Sequence, residues 1–428
     1  MIITLERVSH TVFSLVKIYS EKFSLWKEFI RLKTHTHRPL SLGFVRIYLL
    51  ACLFFAANSI LTVILPLQSE REGIGQSEIG VIMGAYMLFC MFLRPWAGQT
   101  VAKFGALRTM RMLLIVNAIG LVLFTIFGTE GYLPLRALQG AVTAFFSMAM
   151  QMGIVEVLED QDRAQGFSLY TLSTMLPQLF GPIAALYLWE HNQTPAIAVI
   201  LIALGLLAWL CGLTVPLPAS SMKGASFTFA EMVKSISQLW KNRDLFVCSV
   251  VLLVTSMIYG AIMTFLPLYM QSINKGDAGL YFMLQAAVVV VCRFALRKKI
   301  PSDGRWHTGL IAGLLLSAAA GAQLLAMLHI AGPLIYISAI CNGVAVALIY
   351  PTLTTYLTFV LPAHARHILL GLFISSYDLG FSLGGLMMGP LAERFSYSQM
   401  FTCCAWLSIA VLIIIIGNKN RMSILKQA

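Results

Sequence analysis

Arg94-Pro-Trp-Ala-Gly-Gln-Thr-Val-Ala-Lys-Phe-Gly-Ala-Leu-Arg108 is a short basic stretch wedged between two long apolar runs, and it reads as a glycine-bearing turn. A fainter copy follows 199 residues later as Arg293-Phe-Ala-Leu-Arg-Lys-Lys-Ile-Pro-Ser-Asp-Gly304. In both copies an arginine precedes a glycine by eleven positions. Other landmarks keep nearly the same offset. Gly80 and Gly279 are 199 apart, and Leu65-Pro66-Leu67 and Leu266-Pro267-Leu268 are 201 apart. Glycine and proline are common in membrane helices, so each match alone is weak. Four in register predict a duplicated chain.

Composition places that chain in a bilayer. Of its 428 residues 58% are hydrophobic and 11% charged, whereas a soluble domain carries about 25% charge. A span of hydrocarbon needs about 20 apolar residues. Uncharged stretches at 47–69, 112–129, 137–155, 164–189, 192–222, 245–274 and 395–418 meet that need, and 306–365 holds room for two spans hinged at Ala331-Gly332-Pro333. The shorter segments 79–93 and 278–292 reach it with their flanks. The reading is an all-α integral membrane protein of twelve helices, six per half.

The net charge of +12 raises nucleic acid as a partner, but its distribution answers otherwise. With a cytoplasmic N-terminus and alternating loops, 26 of the 30 Lys and Arg residues fall on the cytoplasmic side. Arg71, Lys275 and Arg394 lie in exterior loops, and Arg136 at the outer end of a helix. This asymmetry is the positive-inside rule; it places both termini in the cytoplasm and predicts a multi-pass protein of the cell membrane. The partner expected from this distribution is the lipid bilayer, with no nucleic acid and a monomeric chain. The eight cysteines are scattered without C-x-x-C or Cys/His spacing, so neither a metal site nor a cofactor is expected. His35 and His37 read as solvated residues of a polar linker.

In chain order, residues 1–41 form a cytoplasmic extension with a basic amphipathic pattern (Leu5, Val8, Val12, Leu15, Val16) that suits an inner membrane surface. A dispensable extension explains the same pattern. The first six-helix half spans 42–215, a cytoplasmic linker 216–244 carries a short surface helix near Phe229 to Trp240, the second half spans 245–418, and 419–428 is a basic tail. Pro66 and Pro267 are expected to end the first and seventh helices.

Several motifs resemble the major facilitator superfamily over about residues 42–418. Its loop between the second and third helices reads G-x-x-x-D-x-x-G-R-K. Gly98 and Gly105 match, Lys103 and Arg108 supply the charge, and Ala102 stands at the acidic position. The resemblance implies a gating loop carried here by Arg94, Gly98, Gly105 and Arg108. Loss of the carboxylate at 102 departs from the latch that this loop forms in the family. The fourth-helix pattern R-x-x-Q-G is intact as Arg136-Ala-Leu-Gln139-Gly140, and Gly181-Pro182 resembles the Gly-Pro motif of proton-coupled efflux members. Asn58 with its neighbours Phe54-Phe55, Tyr86 with Gly84, and Arg136 through Met148 further resemble opine-metallophore exporters of the staphylopine type.

The resemblance implies a secondary transporter of major facilitator fold, working by alternating access without enzymatic chemistry. Charge at mid-bilayer is costly and marks function. Arg136 is read as a coupling or substrate-binding cation. Asp378 is read as a proton-titrating carboxylate or, equally, as a polar contact to the basic turns. The cavity-lining helices of the family carry Asn58, Gln139, Gln151, Tyr259, Asn342, Tyr350 and Thr354 here, and neighbouring helices add Tyr86, Tyr170, Gln178 and Gln285. Each alone is commonly a helix-packing hydrogen bond. As a set they suit a zwitterionic or anionic amino-acid-like solute, and the expected activity is proton-coupled efflux of an opine-type metallophore. A multidrug or sugar efflux carrier is the alternative. No constellation of paired carboxylates or Ser/His occurs within the spans, which disfavours an intramembrane enzyme.

Overall fold

The computed structural model describes residues 39–217, 242–296, 301, 304–362 and 366–417. The expected amphipathic segment within 1–38, the surface helix near Phe229 to Trp240 and the tail 419–428 lie outside these residues. Among those described, twelve helices have 18 residues or more: α1 Leu42–Arg71, α2 Gln76–Phe104, α3 Ala106–Phe127, α4 Tyr132–Val157, α5 Asp160–Glu190, α6 Thr194–Thr214, α7 Arg243–Ile273, α8 Ala278–Ala295, α9 Thr308–Ala326, α10 Ile335–Val360, α11 Arg366–Leu386 and α12 Tyr397–Gly417. A short helix, Met388–Arg394, continues α11.

Helix is the only open-ended structure that satisfies every backbone group in hydrocarbon, and the apolar runs leave no alternative. Among the described residues ten segments are long and apolar enough to cross a membrane; one of them, 106–157, contains both α3 and α4, divided by a 3-10 turn at Gly128–Gly131. Helix α5 falls outside that set. It carries Gln165, Ser168, Tyr170, Thr171, Ser173, Thr174 and Gln178, a polar load that its position in the bundle explains below. Loops are capped locally: the Asn242 and Asp277 side chains accept from the amides of Leu245 and Leu280, each at 3.0 Å.

Three expectations need correction. Arg94 and Gly98 do not lie in a loop. Helix α2 runs unbroken through Pro95 and ends at Gly105, whose φ of +83° suits a residue without Cβ and turns the chain into α3. The turn is therefore one residue, and Arg94 sits within the span. Pro66 and Pro267 do not end their helices either; α1 and α7 continue to Arg71 and Ile273, because only the one hydrogen bond that each proline forgoes is lost. Helix α5 begins at Asp160, five residues before the apolar run at Gln165, because the sequence ahead of it is helix-compatible though polar.

Helix packing repeats along the chain. Helix α1 packs on α5 and α6, α2 on α4, and α3 on α4 and α6. The corresponding pairs recur 201 to 206 residues later, counted from helix start to helix start: α7 on α11 and α12, α8 on α10, and α9 on α10 and α12. The main crossings between the two sets are α2 with α11 and its continuation Met388–Arg394, α5 with α8, and α1 with α7.

The α2–α11 crossing is close enough to exclude side chains. A Cβ on Gly80 would stand 2.2 Å from the carbonyl oxygen of Gly385, and one on Gly389 2.6 Å from that of Gln76. Ser382 reinforces the contact by donating to the Gly84 carbonyl at 2.9 Å. At this end of the bundle the Glu393 carboxylate accepts from the Ser77 amide (2.9 Å), and Tyr397 donates to Glu70 (3.1 Å) while accepting from Gln76 (3.3 Å). The end bearing Pro66, Gly80 and Pro267 is thus sealed, by small residues that let backbones approach and by a polar latch at the rim.

Candidate functional site

Below that seal lies a central cavity of about 420 Å³, between α1, α2, α4 and α5 on one side and α7, α8, α10 and α11 on the other. The volume is in the range that holds a small ligand. Eight of its lining residues are aromatic: Phe55, Tyr86, Phe167, Tyr170, Tyr259, Phe282, Tyr350 and Tyr377. The polar face of α5 borders this space through Tyr170, Thr171, Thr174 and Gln178, which explains why that helix is too polar to stand out as a span. Tyr259 bridges the cavity by donating to Gln178 at 3.3 Å.

An ion pair crosses the cavity wall. Arg94 of α2 holds Asp378 of α11 with both ends of its fork, Nε to Oδ2 at 2.5 Å and Nη2 to Oδ1 at 3.0 Å. The Asp378 side chain is 1% exposed and that of Arg94 27%, and both residues line the cavity. Bidentate geometry makes this one of the stronger contacts available between the two sets of helices. The carboxylate read alternatively as a contact to the basic stretch does touch it, at Arg94.

Arg136 has different company. It is 1% exposed and donates from Nη1 to Asn58 Oδ1 and Gln139 Oε1, both at 2.7 Å, and from Nη2 to Thr62 at 3.3 Å. Its guanidinium carbon lies 4.8 Å from the centre of the Tyr86 ring, a cation–π contact, and Tyr86 in turn donates to Thr143 at 3.1 Å. Among the described residues no carboxylate pairs with it. Arg136, Asn58 and Gln139 form a knot between α1, α2 and α4 that does not line the cavity; Tyr86 stands between the knot and the open space.

Asn342 is also withdrawn from the cavity. Its amide donates to Tyr281 and Ser338, both at 3.1 Å, and Ser338 donates to the Gly321 carbonyl at 2.7 Å. This neutral triad joins α8, α9 and α10 where the first half carries the Arg136 knot. Thr354 spends its hydroxyl on the Tyr350 carbonyl one turn earlier.

The cavity therefore gathers Tyr86, Gln151, Tyr170, Gln178, Tyr259, Gln285, Tyr350 and Asp378 from the sequence-predicted set, together with Arg94. It excludes Asn58, Arg136, Gln139 and Asn342. Gly98 has open space around it and Gly105 forms the turn, so neither borders the cavity; Arg108 is an exposed residue in the first turn of α3. Sequence reasoning missed Arg293 and Tyr377 as lining residues. The signal for Arg293 was present, since the repeat offset sets it opposite Arg94.

A family model described as Major Facilitator Superfamily matches residues 47–385. The chain is 41% identical over 375 residues to a staphylopine export protein of Staphylococcus aureus (strain Mu50), covering 86% of this chain and 94% of that one. Among solved structures it is similar in fold to the nucleoside transporter NupG, with a TM-score of 0.72 at 14% identity, over 87% of this chain and 98% of that chain. A transporter of the POT family, solved with 5-aminolevulinic acid, matches with a TM-score of 0.70 at 12% identity over 89% and 96% of the two chains. The all-helical bundle, the membrane-length apolar segments and these likenesses agree: the chain is a multi-pass membrane transporter, not an enzyme, and belongs to the major facilitator superfamily.

Proposed function

We propose that this chain exports an opine-type metallophore, a staphylopine-like chelator, across the cell membrane in exchange for protons. The observation that carries the reading is the 41% identity to a staphylopine export protein along nearly the whole of both chains. In this reading twelve helices cross the membrane with both termini in the cytoplasm, and the halves 42–215 and 245–418 rock about the midplane cavity. The positive-inside distribution supports that orientation. The latched end is then exterior, and the conformation is one that loads from the cytoplasm.

Two residues take the central roles. Asp378 is the proton-exchanging carboxylate, since it is the acid lining the cavity and its partner Arg94 belongs to the opposing half. Arg136 is the coupling cation. It touches the cavity through the Tyr86 ring, so movement of that ring reports the state of the cavity to the α1–α2–α4 knot. The chain is expected to act as a monomer.

The test is transport by reconstituted protein. Proteoliposomes bearing the wild-type chain, given an acid interior, should accumulate added staphylopine, and Asp378→Asn should abolish the dependence on the gradient. Accumulation that ignores the gradient in wild type would remove protons from the account. One observation favours a second reading. Eight aromatic rings suit a lipophilic solute, as a multidrug carrier of the same fold would need. Protection of cells against hydrophobic cationic drugs, without any effect on chelator export, would favour it.

A further inference from the structure

Helix α8 brings to the cavity wall two side chains, Gln285 and Arg293, that each hold a buried hydrogen-bond donor nothing in the structure uses. Gln285 is 3% exposed, and its amide nitrogen has no partner. Arg293, eight residues further along the same helix, has an unpartnered buried Nε; the contact it makes from Nη1 is to the thioether sulfur of Met175 at 3.4 Å, a weak acceptor. Buried donors without acceptors carry a desolvation penalty, so two lining one cavity mark a place where acceptors arrive from outside.

Charge identifies those acceptors. The ionic lining residues are Arg94, Arg293 and Asp378. Asp378 already neutralises Arg94 through two hydrogen bonds, which leaves Arg293 as the unneutralised charge. A cavity with low-dielectric walls and one surplus positive charge favours an anion. The guanidinium fork matches a carboxylate bidentately. Eight residues of helix rise about 12 Å, so Gln285 and Arg293 engage separate groups of one elongated solute.

We propose that Arg293 is a substrate-binding residue that receives a carboxylate of the exported chelator, with Gln285 as donor to a second acceptor further along the molecule. This rests on the export reading above and adds the chemistry by which the cargo is recognised: an amino-acid-derived solute with at least one free carboxylate. It also separates the two arginines that the repeat brings together. Arg94 holds the two halves together through Asp378, and Arg293 holds the cargo.

The experiment compares staphylopine with an analogue whose carboxylates are converted to carboxamides, as substrates of the full-length chain in proteoliposomes. Wild type should prefer the carboxylate form. Arg293→Gln should raise the half-saturating concentration of the carboxylate cargo by about 10–100-fold, the usual loss for a charged hydrogen bond. It should leave that of the carboxamide and the maximal rate unchanged, so the preference disappears. Arg293→Lys should restore part of it. The unfolding temperature of cargo-free Arg293→Gln protein should equal that of wild type, which separates a binding role from a structural one. A variant that keeps the wild-type preference overturns the assignment while the export reading stands. Failure of wild type to move staphylopine overturns both.

Discussion

Replacing Gly80 by alanine adds one methyl group at the point where α2 meets α11. That Cβ would stand 2.2 Å from the Gly385 carbonyl oxygen against the 3.4 Å at which ordinary contact begins, a shortfall of 1.2 Å. Backbone occupies both sides of the contact, so no side chain can rotate away. The helices must separate by about an ångström, or the seal must open. Overpacking of this kind costs about 1–3 kcal/mol. It applies to the sealed conformation alone, because separation of α2 from α11 removes the clash. At 1.4 kcal/mol per decade the open population rises by roughly 5- to 150-fold. The readout is a distance distribution between spin labels on cysteines at Glu130 and Gln399, both exposed near the sealed end, in a background lacking the native cysteines. Gly98→Ala is the control. It lies on the same helix, its Cβ meets nothing within 4 Å, and alanine favours a helix interior by about 0.5–1 kcal/mol. Gly80→Ala should transfer population to longer distances and Gly98→Ala should not. Identical distributions for folded Gly80→Ala and wild type, or the same shift in the control, would refute the close crossing as the seal.

Three further expectations follow from named contacts. Asp378→Asn and Arg94→Gln should each lower stability by about 3 kcal/mol in detergent unfolding, and the double variant should recover part of that loss, because breaking a shielded pair strands the survivor. Arg136→Ala should strand the acceptors Asn58 Oδ1 and Gln139 Oε1 at about 1–3 kcal/mol each, whereas Tyr86→Phe, which loses the single bond to Thr143, should cost about 1 kcal/mol; thermal shifts measure both. Asn342→Ala should cost about 0.6–1.7 kcal/mol through loss of its bonds to Tyr281 and Ser338, and leave the half-saturating solute concentration unaltered, since it lies outside the cavity lining.

Much of the fold was legible because hydrocarbon imposes simple demands. Apolar runs of span length, separated by charged turns, fixed the helices to within a few residues wherever their faces meet lipid or protein. Helix α5 was legible as the uncharged run 164–189 although the face it turns to the cavity is polar, whereas its charged first turn from Asp160 was not. Prolines misled at Pro66 and Pro267, where the helix carries on past them. The same holds for Arg94-Pro95, whose charge and proline both resemble a loop signal. What marks that residue as internal is its acid partner 284 positions away, which no local pattern displays. The site was legible as residue types but not as neighbours. Tyr86, Gln178 and Tyr350 belong to the cavity, while Asn58 and Gln139 turn away from it to hold Arg136. Helical periodicity alone separates these poorly, because a helix buried on every side offers polar residues to both a partner helix and a cavity. The rim latch of Glu70, Gln76, Glu393 and Tyr397 escaped notice for the same reason, since its members come from four segments.

The most direct test of the transport assignment is the partition of an opine-type metallophore between metal-starved cells and their medium, with and without this gene. Deletion should trap the chelator inside, the wild-type gene should restore its release, and Arg136→Ala should not. A partition that is the same with and without the gene would contradict metallophore export as the function of this chain.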